Sequence, residues 1–253
     1  MLLIHGLLSS PQEFGLIAHG LRNRGTGFDA ISVPDYTLAY DPITPNWKRW
    51  LEGASAAIDA RVDAGEPVIL GGLCMGGILA AAAALRARQR IAGLILMSPT
   101  FTFDGWGMHP IRHLRRLGYM TGLDRFFSMY EREPYGVKNP KIRKWIMREL
   151  RDRAQSAAGP ARVPLRALRE AERMLSDVTA RLHELDCPLL FIHARDDEIT
   201  RLSSVEQVFS TLPQTNKELL VLDNSYHMIT IDNDREQVSR ALEHFARRVR
   251  LSE

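Results

Sequence analysis

Residues 68–77 read VILGGLCMGG, an apolar run that enters a turn at Gly72-Leu73-Cys74-Met75-Gly76. A run of small and apolar residues, Ile78 to Leu85, follows at once. Strand, sharp turn and helix in that order form the setting in which one side chain is pushed up at the end of a sheet. The turn holds its central residue in a sparsely populated backbone conformation. Glycines two before and two after let strand and helix approach closely. The N-terminus of the helix directs free N–H groups and partial positive charge at the site, which favours an oxyanion or a thiolate. Cys74 is therefore a candidate nucleophile, the competing reading being a structural thiol buried at a tight turn.

Working outward, strand and helix signals alternate. Leu2 to His5 is a short buried strand. Ser10-Pro11-Gln12-Glu13 predicts a helix start, with Ser10 as cap, Pro11 at the first helical position and Glu13 completing a capping box. That helix runs to about Arg24 and stops at Gly25. A strand follows at Ala30–Val33, then an amphipathic helix over Trp47–Ala64 ending at Gly65, a strand over Pro67–Leu73, a helix over Met75–Ala87 and a strand over Ile91–Met97. Such alternation predicts a mostly parallel sheet flanked by helices. From about Thr102 to Leu185 no strong strand signal occurs, and Lys141–Arg153 and Pro164–Leu182 read as helices. Alternation resumes with a strand at Pro188–His193, a helix near Ser203–Leu212, a strand at Leu219–Leu222 and a closing helix from Arg235 to about Arg250. The expected organisation is a core of residues 1–101 and 186–253 interrupted by a helical insertion, 102–185. That is too long for a bare loop and suited to a lid.

The 253 residues suffice for a substantial core. No apolar run reaches the roughly 18 residues that a membrane span needs. The opening MLLIHG lacks a basic region and a cleavage site, so it reads as a core strand rather than a signal peptide. Two cysteines, Cys74 and Cys187, make no disulfide framework, and the expectation is a reducing cytoplasm. The net charge of +3 is uneven: residues 101–180 carry +7 and the remainder −4. A basic insertion above a site would attract an anionic carrier, although helices charged all round, such as Lys141–Arg153, also read simply as solvated faces. No aromatic-basic module points to nucleic acid. The histidines show no metal-ligand spacing, and the chemistry below calls for no cofactor or metal.

Three further segments supply candidates. In His5-Gly6-Leu7 the glycine permits a tight turn, so the backbone N–H of Leu7 can join that of Met75 in holding a developing oxyanion; His5 reads as a structural side chain of the turn. LFIHARDDEIT (190–200) is an apolar strand ending in an acidic turn, where Asp197 is preferred over Asp196 as the carboxylate that reaches a histidine and His193 reads as packing. DNSYHMIT (223–230) puts His227 in a loop between the last strand and the last helix. Nucleophile, acid and base in the order Cys74, Asp197, His227 form a catalytic triad, in which His227 takes the thiol proton and Asp197 fixes its tautomer.

With these segments together, the chain resembles the carboxylesterase and monoacylglycerol-lipase branch of the α/β-hydrolase superfamily over nearly its whole length. LLIHGLLSSPQEF resembles the oxyanion turn, GGLCMGG the nucleophile turn, HARDDEIT the acid turn and SYHMITIDNDREQV the histidine loop. The resemblance implies an α/β-hydrolase fold with a helical cap that shapes the acyl pocket, and hydrolysis of esters of medium or long acyl chains, or of thioesters, by Cys74, Asp197 and His227, with Leu7 and Met75 as oxyanion donors. The departure is Cys where the family has Ser. It leaves room for an acyltransferase that moves an acyl group from coenzyme A or an acyl carrier protein to an amine or alcohol, for a binding protein that keeps the fold, and for a Ser-to-Cys exchange in a serine esterase. Phe101, Phe103, Trp106, Met108, Met120, Phe126, Phe127 and Met129 supply apolar material for the cap's interior, with some of them lining an acyl site.

Overall fold

The computed structural model describes residues 1–38, 45–62, 65, 68–87, 90–108 and 115–251. A six-stranded sheet carries the fold: β1 (Leu2–Ile4), β2 (Asp29–Ile31), β3 (Val68–Leu73), β4 (Ile91–Met97), β9 (Leu189–Ala194) and β10 (Lys217–Leu222). Their spatial order is β10-β9-β4-β3-β1-β2, and every pairing is parallel. Side chains along the strands alternate between two cores, as the period of two requires. Leu70, Leu94, Leu96 and Phe191 face one side; Ile69, Ile95, Met97 and Ile192 face the other. Helices α1 (Gly15–Asn23) and α8 (Arg235–Leu251) cover the second side, while α2 (Trp47–Val62), α3 (Met75–Ala87) and α7 (Leu202–Thr211) cover the first. This is the α/β-hydrolase arrangement that the sequence segments imply.

Register positions the site. Ile4 lies opposite Gly72, Leu73 opposite Met97, and Ala194 opposite Leu222. The strand ends are therefore level, and the turns after β1, β3, β9 and β10 emerge along one edge of the sheet. In open parallel sheets, that carboxyl edge is where ligands bind. The near-continuous burial of α3 from Met75 to Leu85 explains its alanines: small side chains let the helix sit between the sheet and its neighbours.

Several expectations change in detail. The second strand is Asp29–Ile31 rather than Ala30–Val33, because the chain turns after Ile31 and Tyr36 and Thr37 bond back to Val33. The start at Pro67 and the end at Ala64 lie outside the described residues. The segment after Ser10 is a 3-10 turn, Pro11–Phe14, in which Ser10 makes no side-chain cap bond. Glu13 does not close a capping box, since its carboxylate is taken by Gly6, on the other side of the turn.

The insertion also differs. It contains α4 (Arg115–Thr121), α5 (Pro140–Arg153) and α6 (Leu165–Arg181), but also two small antiparallel pairs, β5 (Ser128–Tyr130) with β8 (Arg162–Pro164) and β6 (Gln155–Ser156) with β7 (Gly159–Pro160). These strands are only two or three residues long, too short to show a period in sequence. Asn139 caps α5 by accepting the N–H of Lys141, with Pro140 at its first turn. The segment 102–185 does not stand apart as a whole. Ala171, Met174, Leu175 and Val178 of α6 belong to the same core as α3, so its last helix is part of the flanking layer. Trp106, Met120, Phe126 and Phe127 are not interior; they are 57%, 84%, 70% and 58% exposed. Trp106 lies on the surface against Tyr226, its Nε1 donating to the carbonyl of Asp196, and α4 and the turn after it bury no apolar side chain.

The glycines of the cysteine turn are a steric requirement. A Cβ on Gly72 would lie 2.3 Å from Gly76, and one on Gly76 would lie 2.2 Å from the carbonyl oxygen of His5. Both contacts are with backbone, which cannot swing away. Gly76→Ala is expected to cost about 3 kcal/mol or more, at or beyond the upper end of ordinary overpacking, read as a fall in the urea midpoint at unchanged slope. A midpoint within error of the unaltered protein would contradict this packing.

Candidate active site

Cys74 stands between β3 and α3 with φ +55°, a conformation that costs a non-glycine residue about 1–3 kcal/mol unless its surroundings impose it. The surroundings do so: its N–H donates to Met97 across the sheet, and the two glycines close the turn. Its Sγ lies 3.3 Å from Thr100 Oγ1, a buried hydroxyl after β4 that no sequence signal marks.

The turn after β9 presents Asp197 fully withdrawn from solvent. Its Oδ1 accepts the N–H groups of Ile199 and Thr200 at 2.8 and 2.9 Å, and its Oδ2 lies 2.7 Å from His227 Nδ1. Burial, the largest influence on Asp197, works against its charge, but the charge and hydrogen bond of His227 and the nearby N–H groups prevail and hold the carboxyl below its ordinary range. For His227 burial is again the largest influence and opposes protonation. Asp197 and the sulfur of Cys74 more than offset it, placing the imidazole well above its usual pKa. With Nδ1 on Asp197, His227 Nε2 is buried without a hydrogen-bond partner. Asp196 is half exposed and pairs with Lys138 at 3.1 Å, so of the two adjacent carboxylates it is Asp197 that meets His227. His193 is buried; its Nε2 donates to the carbonyl of Thr200, and burial lowers its pKa.

The turn after β1 is held from several sides. Gly6 donates its N–H to Glu13 Oε2 at 2.7 Å. The Gly6 carbonyl accepts from the N–H of Ser9 at 3.1 Å and from His5 Nδ1 at 2.8 Å. Burial drives the pKa of His5 down to about 4, so the ring is neutral, with its proton on Nδ1 and Nε2 accepting from Thr37 Oγ1 at 2.7 Å. Because a trans peptide is planar, with C=O and N–H on opposite sides, fixing the Gly6 carbonyl also fixes the direction of the Leu7 N–H.

Leu7, Met75, Cys74 and His227 line one cavity of about 160 Å³. Phe103, Met108, Met129 and Val163 of the insertion give it apolar walls, while Phe101 is packed in the core instead. Three carboxylates, Glu13, Glu131 and Glu198, also border it, and among the described residues no lysine or arginine does. Burial lifts both Glu13 and Glu198 to a pKa of about 7, against hydrogen bonds and the His227 charge that pull the other way. Glu198 accepts the backbone N–H of His227 at 3.2 Å. Sequence reasoning missed both roles; Glu198 carried a signal only as the next residue after the acid.

Asp232, also missed, ties the parts together. It is fully buried, and its carboxylate accepts the N–H groups of Lys138, Asn139, Tyr226 and Asn233 at 2.7–2.9 Å. The residue before His227 and the start of α5 thus hang on one side chain.

Among known proteins, the family described as serine aminopeptidase, S33, matches residues 1–234. The chain is 30% identical over 87 residues to the thermostable monoacylglycerol lipase of Bacillus sp. (strain H-257), a match spanning 34% of this chain and 35% of that one. It is 19% identical over 250 residues to the carboxylesterase of Bacillus subtilis (strain 168), covering 97% and 91%. The crystal structure of the Paleococcus ferrophilus monoacylglycerol lipase superposes with a TM-score of 0.75 at 19% identity, covering 96% of this chain and 92% of that one. Among the described residues, no helix is long and apolar enough to cross a membrane.

Removing the Asp232 carboxylate strands buried N–H donors, each costing about 1–3 kcal/mol when unsatisfied. Asp232→Ala is expected to lower unfolding free energy by about 3 kcal/mol or more, measured by urea denaturation. An unchanged midpoint would mean that water replaces the carboxylate without loss.

Proposed function

Since the chain belongs to the serine aminopeptidase S33 family, we propose that it is a hydrolase of uncharged carboxylic esters, working through a Cys74–His227–Asp197 triad. The observation that carries this reading is the 2.7 Å contact of His227 Nδ1 with Asp197, which leaves Nε2 unpartnered in the cavity that Cys74 lines. The names of the relatives, a monoacylglycerol lipase and a carboxylesterase, support the ester class.

In this reading His227 holds the proton of Cys74 and the thiolate attacks the ester carbonyl. A C–S bond forms, and negative charge moves to the carbonyl oxygen, where the N–H groups of Leu7 and Met75 receive it. Collapse breaks the C–O bond, and His227 passes its proton to the departing alkoxide. Water then attacks the thioester, with His227 now accepting its proton, and collapse returns the thiol and the free acid. Asp197 compensates the imidazolium charge in both halves.

Residues 102–164 act as the cap in this reading, since Phe103, Met108, Met129 and Val163 wall the cavity from above the sheet edge. A cavity of about 160 Å³ compares with an engineered apolar cavity of about 150 Å³ that accepts benzene, which supports a short or aryl acyl group. Glu13, Glu131 and Glu198 disfavour an anionic moiety inside. Part of the basic charge of the insertion is engaged in Arg115–Glu172, Arg169–Asp124, Arg143–Glu133 and Lys138–Asp196 pairs. The acidic lining of the cavity favours hydrolysis of small neutral esters over transfer from an anionic acyl carrier.

The test is turnover of p-nitrophenyl esters of increasing chain length with intact-mass detection of an acyl adduct. Hydrolysis is expected to peak at acyl groups of about four to six carbons, the size such a cavity admits, with adduct and turnover both abolished by Cys74→Ala. Persistent turnover in that variant would refute the thiol mechanism. Asp197→Asn removes the charge that raises the imidazole pKa. The His227 imidazole is then expected to titrate at lower pH, read from its Cε1 proton in NMR spectra across pH. An unmoved titration would mean that Asp197 does not hold the imidazolium.

A further inference from the structure

Glu13 is 2% exposed and borders the cavity, yet the triad leaves it without a role. It packs against Gly6 beside the sulfur-bearing residue: a Cβ built on Gly6 would stand 3.2 Å from Glu13 Oε1 and 3.8 Å from the Cβ of Cys74. Gly6 is the most conformationally free residue type, placed where the backbone direction matters most. Its φ is governed by the orientation of the peptide before it and its ψ by that of the peptide after it. The preceding peptide is held by the 2.7 Å bond from Gly6 N–H to Glu13 Oε2. The following peptide, which carries the Leu7 N–H, is held through the Gly6 carbonyl by Ser9 and His5. Loss of either hold lets the glycine turn.

We infer that Glu13 is a positioning residue for the oxyanion turn, fixing Gly6 from its N–H side so that the Leu7 N–H faces the carbonyl oxygen of a substrate attacked by Cys74. The inference rests on the proposed triad. A protonated carboxyl retains a carbonyl oxygen that accepts from Gly6, so the hold needs an acceptor atom and not a charge. That is consistent with burial raising the pKa of this group to about 7 without removing the bond. Glutamine supplies the same acceptor. Methionine fills a similar volume and supplies none.

Two reactions of the same sulfur separate positioning from folding. Alkylation by iodoacetamide displaces iodide from a saturated carbon and develops no oxyanion; acylation by p-nitrophenyl butyrate does. Both rates are measured on the unaltered protein, Glu13→Met and Glu13→Gln, with melting temperature as a control and Glu13→Ala as a second acceptor-free variant. Since loss of one oxyanion donor costs about 10²–10³-fold in rate and a misdirected donor somewhat less, Glu13→Met should slow acylation by about 30-fold or more. Alkylation should stay within about threefold, and Glu13→Gln should restore acylation to near the original rate. Unchanged acylation in Glu13→Met, or a parallel fall of both rates in the Met and Ala variants, would overturn the inference. Failure of the unaltered protein to be acylated while it is still alkylated would overturn the esterase reading itself, and the inference with it.

Discussion

Everything at the site depends on how closely β3, α3 and the end of β1 approach one another. The hydrogen-bond register sets Ile4 beside Gly72, and a missing Cβ at Gly76 lets α3 start directly against the carbonyls of Ile4 and His5. With a side chain at either glycine the helix would have to back away, and Cys74 would relax from its left-handed conformation. The same approach brings the turn after β1 next to the N-terminus of α3, which is what allows Leu7 and Met75 to line one cavity. One steric constraint thus sets the strained Cys74, the helix that faces it and the neighbouring turn together. Strain of this kind persists only where the surroundings over-determine it, and here backbone on both sides does so.

The environment then differentiates groups of the same type. Asp197, Glu13 and Glu198 are all carboxylates withdrawn from water within one small region, and burial pushes each toward its neutral form. Asp197 alone is depressed, because His227 sits directly on it and two N–H groups donate to its other oxygen. Glu13 and Glu198 accept one backbone N–H each and feel His227 from farther off, and they remain near 7. Full charge at neutral pH is therefore concentrated on Asp197, where it can hold an imidazolium, while Glu13 and Glu198 in the cavity wall are only partly ionised. A fixed charge beneath the imidazole suits proton transfer.

Much of this is legible in sequence because it follows from local chemistry. The Gly72-x-Cys74-x-Gly76 turn, the helix from Met75 to Ala87 and the strand from Ile91 to Met97 stand where the pattern puts them, since glycine spacing and apolar runs report directly on backbone geometry. The rest depends on distant partners. Glu13 has the spacing of a capping box, and local chemistry points no further than that. What decides its conformation is Gly6, seven residues earlier, whose N–H has no strand to pair with. Asp232 looks like an ordinary residue of an acidic helix entry until the start of α5, more than ninety positions away, brings two N–H groups to it. The exposure of Met120 and Phe126 is likewise a property of packing, not of composition: the described residues of α4 and the turn after it bury no apolar side chain.

The replacement of an expected serine hydroxyl by a thiol changes what the surrounding groups must do. A hydroxyl stays protonated until the moment of attack and needs a base held against it; a thiol can give up its proton beforehand if an imidazolium is stable nearby. The latter condition is met here, since Asp197 and Cys74 both raise the basicity of a fully enclosed His227. Sγ also rests 3.3 Å from the Thr100 hydroxyl, a donor that can stabilise sulfur anion without taking its proton. In the proposed mechanism the thioester keeps a carbonyl whose oxygen would be held a second time when water attacks, by the same N–H groups of Leu7 and Met75, so the stiffness of the turn at Gly6 would bear on deacylation as much as on acylation.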